Sequence, residues 1–333
     1  MRGIIPERYG RGVVRVLVVS NMLPDPVHPE RGSFVRDQVA ALRRLDTLDV
    51  ELYEFPPGAP ALARAALDLR RRFGRRRPQR LDVVHAHFGL TAWPALGVRA
   101  HVHALTVHGT DLRNPRTRLA TRAVLPLIDL LATVSASLTA ELPGRTARRR
   151  AEVLPCGVDL ERFHPLARAQ ARGELGLDPR KPYLLFAADP ARPEKRHDLA
   201  RALAAQLDVE LLALGGVDPA RVPLYVNAAN AVLVPSDREG FGLAVLEALA
   251  CDVPVLATPV GIHEEALQYL PGTLCAPFEP ARWRAALEPL LEVPDGADIE
   301  PRVEGRARAE RFSATRMAER VAEAWRAARQ RAG

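Results

Sequence analysis

The chain has 333 residues, 47% of them apolar and 26% charged, with a formal net charge of +7. That is enough length for two domains with a substantial core each, and the composition excludes disordered, collagen-like and disulfide-scaffold classes. The positive charge alone admits nucleic acid, a membrane surface or an acidic ligand. Only Lys181 and Lys195 among the basic residues are lysines, so the arginine excess reads as compositional bias rather than a nucleic-acid footprint.

Short apolar, β-branched runs alternate with helical patterns along the chain, which predicts a doubly wound α/β architecture. In the first half, strands are expected near 14–20, 49–54, 81–87, 103–107, 130–134 and 151–155. Helices are expected near 33–46, 60–73, 91–100, 117–126 and 135–142. Arg15 breaks the Val13–Val19 run, so no signal-peptide core is expected, and no run is long enough to cross a membrane. Cys156, Cys251 and Cys275 are odd in number and far apart, which favours packed thiols in a reducing compartment; a cytoplasmic location is the expectation.

Several features of this half invite chemistry. Gly32-Ser33 follows the first strand and opens a helix, where Ser33 is a natural N-cap. No G-x-G-x-x-G follows that strand, which argues against a nicotinamide dehydrogenase, and no Walker loop is present. Leu62, Ala66, Leu69 and Phe73 form an apolar stripe among Arg64, Arg70, Arg71, Arg72, Arg75, Arg76 and Arg77. Such a helix either lies on anionic lipid or covers the core with a solvated face. His85 and His87 point the same way on one strand. With no third ligand at useful spacing and no D-x-D motif, strand-end packing is expected and no metal is assigned. His108-Gly109-Thr110-Asp111 follows a strand end, where open parallel sheets bind ligands. A neutral His108 can hydrogen-bond a sugar hydroxyl, and Asp111 reads equally as the cap of the next helix.

After Phe163-His164-Pro165 a second series begins. Strands are expected near 183–187, 208–214, 231–234, 253–257 and 272–275; helices near 195–205, 220–229, 241–250, 262–268, 279–291 and 313–329. Arg192 and Lys195 stand before a helix start, an unfavourable place for cations unless an anion is bound there. The densest signal is Glu239-Gly240-Phe241-Gly242-Leu243, which opens a helix apolar almost all round yet carrying Glu247. Two glycines admit a ligand close to the backbone, free amides favour a diphosphate, and carboxylates accept from sugar hydroxyls.

This ordered set resembles the GT-B glycosyltransferases, specifically the large retaining group marked by two glutamates seven residues apart, here Glu239 and Glu247. Ser20-Asn21-Met22, Gly32 to Gln38, Asp82 to His87, Thr106 to Asp111, Leu154 to Asp159, Pro193 to Arg196, Pro235-Ser236 and Ala250 to Val255 extend the likeness almost end to end. The resemblance implies two Rossmann-like doubly wound parallel-sheet domains facing a central cleft. Their spans would be 1–160 for the acceptor side and 161–312 for the nucleotide-sugar side. A closing helix at 313–333 would pack back on the first domain. It implies a catalytic set of His108, Glu239, Lys195 and Arg192. It implies a donor-binding set of Gly32, Ser33, Gly240, Phe241, Gly242, Leu243 and Glu247, the last on the ribose. Where the family pattern has Gly-Arg, this chain has Ala188-Asp189, so the arginine role moves to Arg192 or is lost. The Leu214–Leu224 stretch is shorter than the usual pattern. The expected activity is retaining, metal-independent and without a cofactor. It would move a hexose or hexuronic acid from a UDP- or GDP-sugar donor to a saccharide or lipid-linked acceptor. The nearest look-alikes serve teichuronic-acid and related cell-envelope polysaccharide synthesis, with a peripheral anionic membrane surface as a further expected partner. A nucleotide-sugar epimerase or phosphorylase, or a noncatalytic sugar-binding protein, are the alternative readings.

Overall fold

A computed structural model describes residues 12–74, 80–292 and 303–332. Six parallel strands form the first sheet: β1 Val14–Ser20, β2 Leu48–Glu54, β3 Leu81–His87, β4 Ala100–Val107, β5 Leu130–Thr133 and β6 Glu152–Val153. They lie in the order β2-β1-β3-β4-β5-β6. Five parallel strands form the second: β7 Tyr183–Phe186, β8 Glu210–Ala213, β9 Ala231–Val234, β10 Val255–Ala257 and β11 Leu274–Cys275, in the order β11-β10-β9-β7-β8. The apolar runs of β7 and β9, and the near-continuous ones of β1 and β5, are explained by helices on both faces of each sheet, since a parallel sheet buried on two sides needs no polar alternation.

The last helix, Ala314–Ala332, lies on the first sheet and not on the second. Met317, Val321 and Trp325 share a core with Val16, Val18, Val39 and Leu42. Trp325 is fully buried, and its indole N–H donates to His85 Nδ1 at 3.1 Å. The two segments that cross between the sheets are laced together. Val158 N donates to Phe312 O at 2.9 Å, and Ala314 N donates to Val158 O at 2.8 Å. Arg306 adds a clamp, donating to the carbonyls of Leu160, Phe163 and Ala250, each at 2.9 Å. A cation there also suits the carboxyl end of the Leu243–Ala250 helix.

Some boundaries differ from the sequence expectations. The helix expected over 91–100 runs Gly89–Ala95, so β4 starts at Ala100. The helix expected from 195 begins at His197, after a 3-10 turn at Pro193–Lys195 and a left-handed Arg196. The N-cap expected at Ser33 is Gly32, with Ser33 the first helical residue. The arginine-rich helix, Ala59–Phe73, spends its apolar stripe on the core, with Leu69 buried and Leu62 and Phe73 packed beside it. What it leaves outside is charge and Leu67, which is 59% exposed. Arg75, Arg76 and Arg77 lie outside the described residues.

Candidate active site

In the second sheet the strand order reverses at β7. The loops after β7 and β9 therefore lie side by side at the carboxyl edge, the place where such sheets receive ligands. The first loop carries Lys195 in its 3-10 turn; the second carries Glu239. Lys195 Nζ lies 2.6 Å from both carboxylate oxygens of Glu239, with side chains only 14% and 9% exposed. Burial pushes the Glu239 carboxyl up, but Lys195 outweighs it and holds the group below its ordinary range. Ser236 Oγ donates to the same carboxylate at 2.8 Å, and Thr258 Oγ1 donates to Ser236 O at 2.5 Å. His263 Nδ1 donates to Thr258 O at 2.8 Å. Glu239 is thus fixed from below by a hydrogen-bonded shell and from the side by a cation.

The helix opened by this loop starts at Leu243, with Gly242 as its left-handed N-cap. The amides of Phe241, Gly242 and Leu243 have no partner among the described residues, as the first turn of a helix dictates. The flanking glycines have a different immediate reason from the expected ligand approach. A Cβ on Gly240 would collide with the His108 carbonyl oxygen, and one on Gly242 with the His263 ring. Phe241 is buried and packs edge-on against Phe312 at 6.3 Å.

Glu247 sits one turn into that helix. Burial raises its carboxyl to about 7, against the pull of Arg162 and with a push from Asp37. No hydrogen bond reaches it among the described residues, because Arg162 is committed to Asp37 at 2.6 and 3.0 Å. Arg192 stands apart: its exposed guanidinium bonds Glu194 at 2.8 and 3.1 Å.

The first sheet supplies a wall of another kind. His108 follows β4, with Phe34, Phe88 and His87 around its ring at centroid distances of 4.9, 4.7 and 5.2 Å. His87 Nδ1 lies 2.9 Å from His108 Nε2. Burial lowers the basicity of both rings, His87 to about 3, so both are neutral. Asp111 does not cap the next helix, whose N-cap is Asn114. It accepts from the amides of Gly89, His108 and Gly109, which ties the β3 and β4 loops together. Burial raises its carboxyl to about 6, with those amides opposing. Phe88 holds φ 72°, a strained value for a side-chain-bearing residue, and strain of this kind concentrates at functional sites.

The walls meet at Gly240. Its Cα abuts the His108 carbonyl, and Ser135 Oγ donates to its carbonyl at 2.9 Å. The structure therefore joins His108 to the Glu239–Lys195 pair through backbone, with no contact between the imidazole and either charged group. A hollow of about 510 Å³ is lined by Ser33, Arg36, Asp37, Arg162 and Asp218. A second, of about 770 Å³, is lined by Ser135, Ser137, Phe241, Glu264 and Phe312. Among the described residues no cluster of metal-ligand side chains is gathered, and no helix is long and apolar enough to cross a membrane.

The comparisons with known proteins follow the same division. Residues 10–162 match the profile described as Glycosyltransferase Family 4, and residues 175–309 the profile described as Glycosyl transferases group 1. A D-inositol 3-phosphate glycosyltransferase of Geodermatophilus obscurus is 30% identical over 87% of this chain and 74% of its own length. One from Pseudarthrobacter chlorophenolicus is 29% identical over 81% and 75%. The match to a Segniliparus rotundus relative of the same name, at 32% identity, covers 54% of this chain and about half of that protein, 47%. These relatives carry a different name from the teichuronic-acid enzymes expected from the sequence. Among solved structures, sucrose-phosphate synthase of Thermosynechococcus elongatus superposes with a TM-score of 0.69 at 19% identity, covering 94% of this chain and 98% of that one. Anabaena HepE, solved with UDP and glucose, gives 0.66 at 17%, covering 93% and 98%. With two parallel-sheet domains in the GT-B arrangement and both halves matched, the chain belongs to the group 1, family 4-type glycosyltransferases.

Proposed function

We propose that the protein transfers a sugar from a nucleotide diphosphate sugar to a hydroxyl-bearing acceptor, with retention and without a metal. The observation that carries this reading is the Lys195–Glu239 pair beside the open amides of Phe241, Gly242 and Leu243. A leaving diphosphate gathers negative charge as the glycosidic bond breaks. A lysine and a helix start stabilise that charge with no reorganisation at the moment of reaction. Glu239 accepts hydrogen bonds from sugar hydroxyls, His108 lies on the sugar's other side, and Glu247 takes the ribose. Gly32 and Ser33, at the start of the facing helix, border the phosphates. The nucleotide then lies along the hollow that holds Ser33, Asp37 and Arg162. At the His108 loop the carboxylate present, Asp111, is buried and taken up by the amides of Gly89, His108 and Gly109, which favours same-face attack over a glycosyl-enzyme intermediate.

The relatives' name supports a phosphorylated sugar alcohol as the first acceptor to try, with saccharide and lipid-linked acceptors of cell-envelope synthesis next. In the cytoplasmic setting expected, the arginine face of the Ala59–Phe73 helix offers positive charge to anionic lipid rather than apolar insertion. The test is nucleotide release from UDP- and GDP-sugars, with and without acceptor, guided by a thermal-shift screen of donors. Release that needs acceptor, gives a product with the donor's anomeric configuration and survives a chelator is expected. Loss on chelation, with recovery on manganese or magnesium, would falsify the metal-free arrangement.

A further inference from the structure

His87 and His108 share one hydrogen bond between two nitrogens 2.9 Å apart. Two neutral rings in that arrangement place a single proton between them, so one ring donates and the other accepts. The direction is decided at the far nitrogen of His87. His87 Nε2 is buried and has no partner among the described residues. A proton there would be a buried N–H with nothing to bond, which native structures avoid more strictly than an unfilled acceptor. His85 cannot relieve it. Its ring stacks on His87 at 4.9 Å with planes 21° apart, so its in-plane nitrogens point elsewhere. They are also already assigned. The Trp325 indole only donates, so His85 Nδ1 accepts and His85 Nε2–H donates to Thr106 Oγ1 at 2.8 Å.

We propose that His87 is a positioning residue: its Nδ1–H donates to His108 Nε2 and thereby fixes His108 as the tautomer that presents Nδ1–H to the cleft. His108 bonds a side chain only through Nε2 among the described residues, and the residue is partly exposed, so a proton on Nδ1 is available to a ligand. The inference rests on the glycosyltransferase reading and deepens it. His108 becomes a hydrogen-bond donor to an oxygen lone pair, as in a sugar hydroxyl or carboxylate, and takes no proton at that atom. A donor sugar bearing an ammonium or no oxygen at that position loses the contact.

Long-range proton–nitrogen correlation spectra of protein enriched in ¹⁵N-histidine test this directly. Signals are assigned by their loss in His87→Asn and His108→Asn. Both rings are expected to show Nδ1 protonated and Nε2 bare near neutral pH; the opposite tautomer at either ring overturns the proposal. Kinetics give a second reading. His87→Leu removes the donor and should lower turnover about ten-fold or more, since a wrong tautomer is costly where geometry is kept. His87→Asn places an amide N–H near the lost Nδ1 and should restore most of it; equal loss in both variants counts against a donor role. If His87→Leu does not fold, the wild-type spectrum decides alone. The spectrum needs no turnover, so a failed transferase assay and a wrong tautomer are distinguishable.

Discussion

The two walls of the cleft solve the same problem, a buried polar surface, by opposite means. On the second sheet, Lys195 and Glu239 form a close ion pair, and the ammonium holds the Glu239 carboxyl below its ordinary range. On the first, His85, His87 and His108 stay neutral because burial removes their protons and hydrogen bonds settle what remains. The contrast teaches where a two-part donor would lie. A diphosphate needs charge and open amides, so it belongs on the second sheet. The sugar, whose reacting carbon becomes electron-poor, belongs beside a wall that adds no positive charge of its own.

The sharpest way to break this contrast is to remove one charge. Lys195→Met should lower turnover about 10²- to 10³-fold. It should also destabilise the protein by about 3–5 kcal/mol, because Glu239 is left buried without its partner. Lys195→Met combined with Glu239→Gln should recover much of that stability in denaturant titrations and none of the turnover. A single variant as stable as the double would show that the pair does not hold the wall. The sign of the pH dependence follows from the pair as well. Glu239 has a folded value below its unfolded one, so its contribution is present above the unfolded pKa and is lost as pH falls through the folded one.

On the neutral wall, His108→Ala should lower turnover by roughly ten- to a thousand-fold while the melting temperature moves little, since the ring edges a cleft. The wild-type rate profile should show no imidazole step between pH 6 and 8. Such a step, absent in His108→Ala, would mean that the wall is not neutral in the working enzyme.

Glu247 belongs to neither regime and sharpens both. Its folded value, about 7, lies above the unfolded one, so the half-buried carboxylate destabilises the protein as pH rises from the unfolded value through 7. Glu247→Gln should therefore stabilise the free protein at pH 8 by about 1–3 kcal/mol and change little at pH 5. Ribose hydroxyls donating to Glu247 favour its ionised form, so nucleotide should bind more tightly at pH 8 than at pH 6. Calorimetry in two buffers should register the released proton. Binding by Glu247→Gln that equals wild type at pH 8 would remove the ribose role. The smallest effect is expected at Arg192. Its ion pair with Glu194 is exposed, so Arg192→Ala should change stability by less than about 0.5 kcal/mol. A few-fold rise in donor KM is the expected kinetic cost; a hundred-fold rise would move Arg192 into the ionic wall.

The fold was legible because burial on both faces writes itself as near-continuous apolar runs, as in β1 and β9. The loop positions of Lys195, Glu239 and His108 were legible for the same reason, being strand ends. Partners were not. Lys195 and Glu239 are 44 residues apart and meet only because β7 and β9 are neighbours. His87 read as strand-end packing, and nothing local marks it as the partner of a ring 21 residues away. Trp325 showed as one apolar position on a helix; its bond to His85 spans 240 residues. Asp111 looked like a cap because that is what Asp does at a helix start, and its three amide partners come from two loops. Phe88 carries no sequence signal for its left-handed backbone. Arg172, fully buried among the carbonyls of Ala228 and Pro179 and the Asn230 side chain, is a cation no composition argument would place in a core.

The helix Ala314–Ala332 also has a bearing on biosynthesis. Its Met317, Val321 and Trp325 complete a core whose members outside this helix all lie before residue 155. The first sheet therefore leaves the ribosome with Val16, Val18 and Val39 lacking part of their cover. At about 5–20 residues per second that condition lasts roughly 10–30 s, while the entire second domain is made. The second domain is threaded in as an insert whose two ends meet at Val158 and Ser313, and its own core is complete first. The usual vectorial order is inverted, and the histidine wall, which rests on Trp325 through His85, is the last part of the cleft to be assembled.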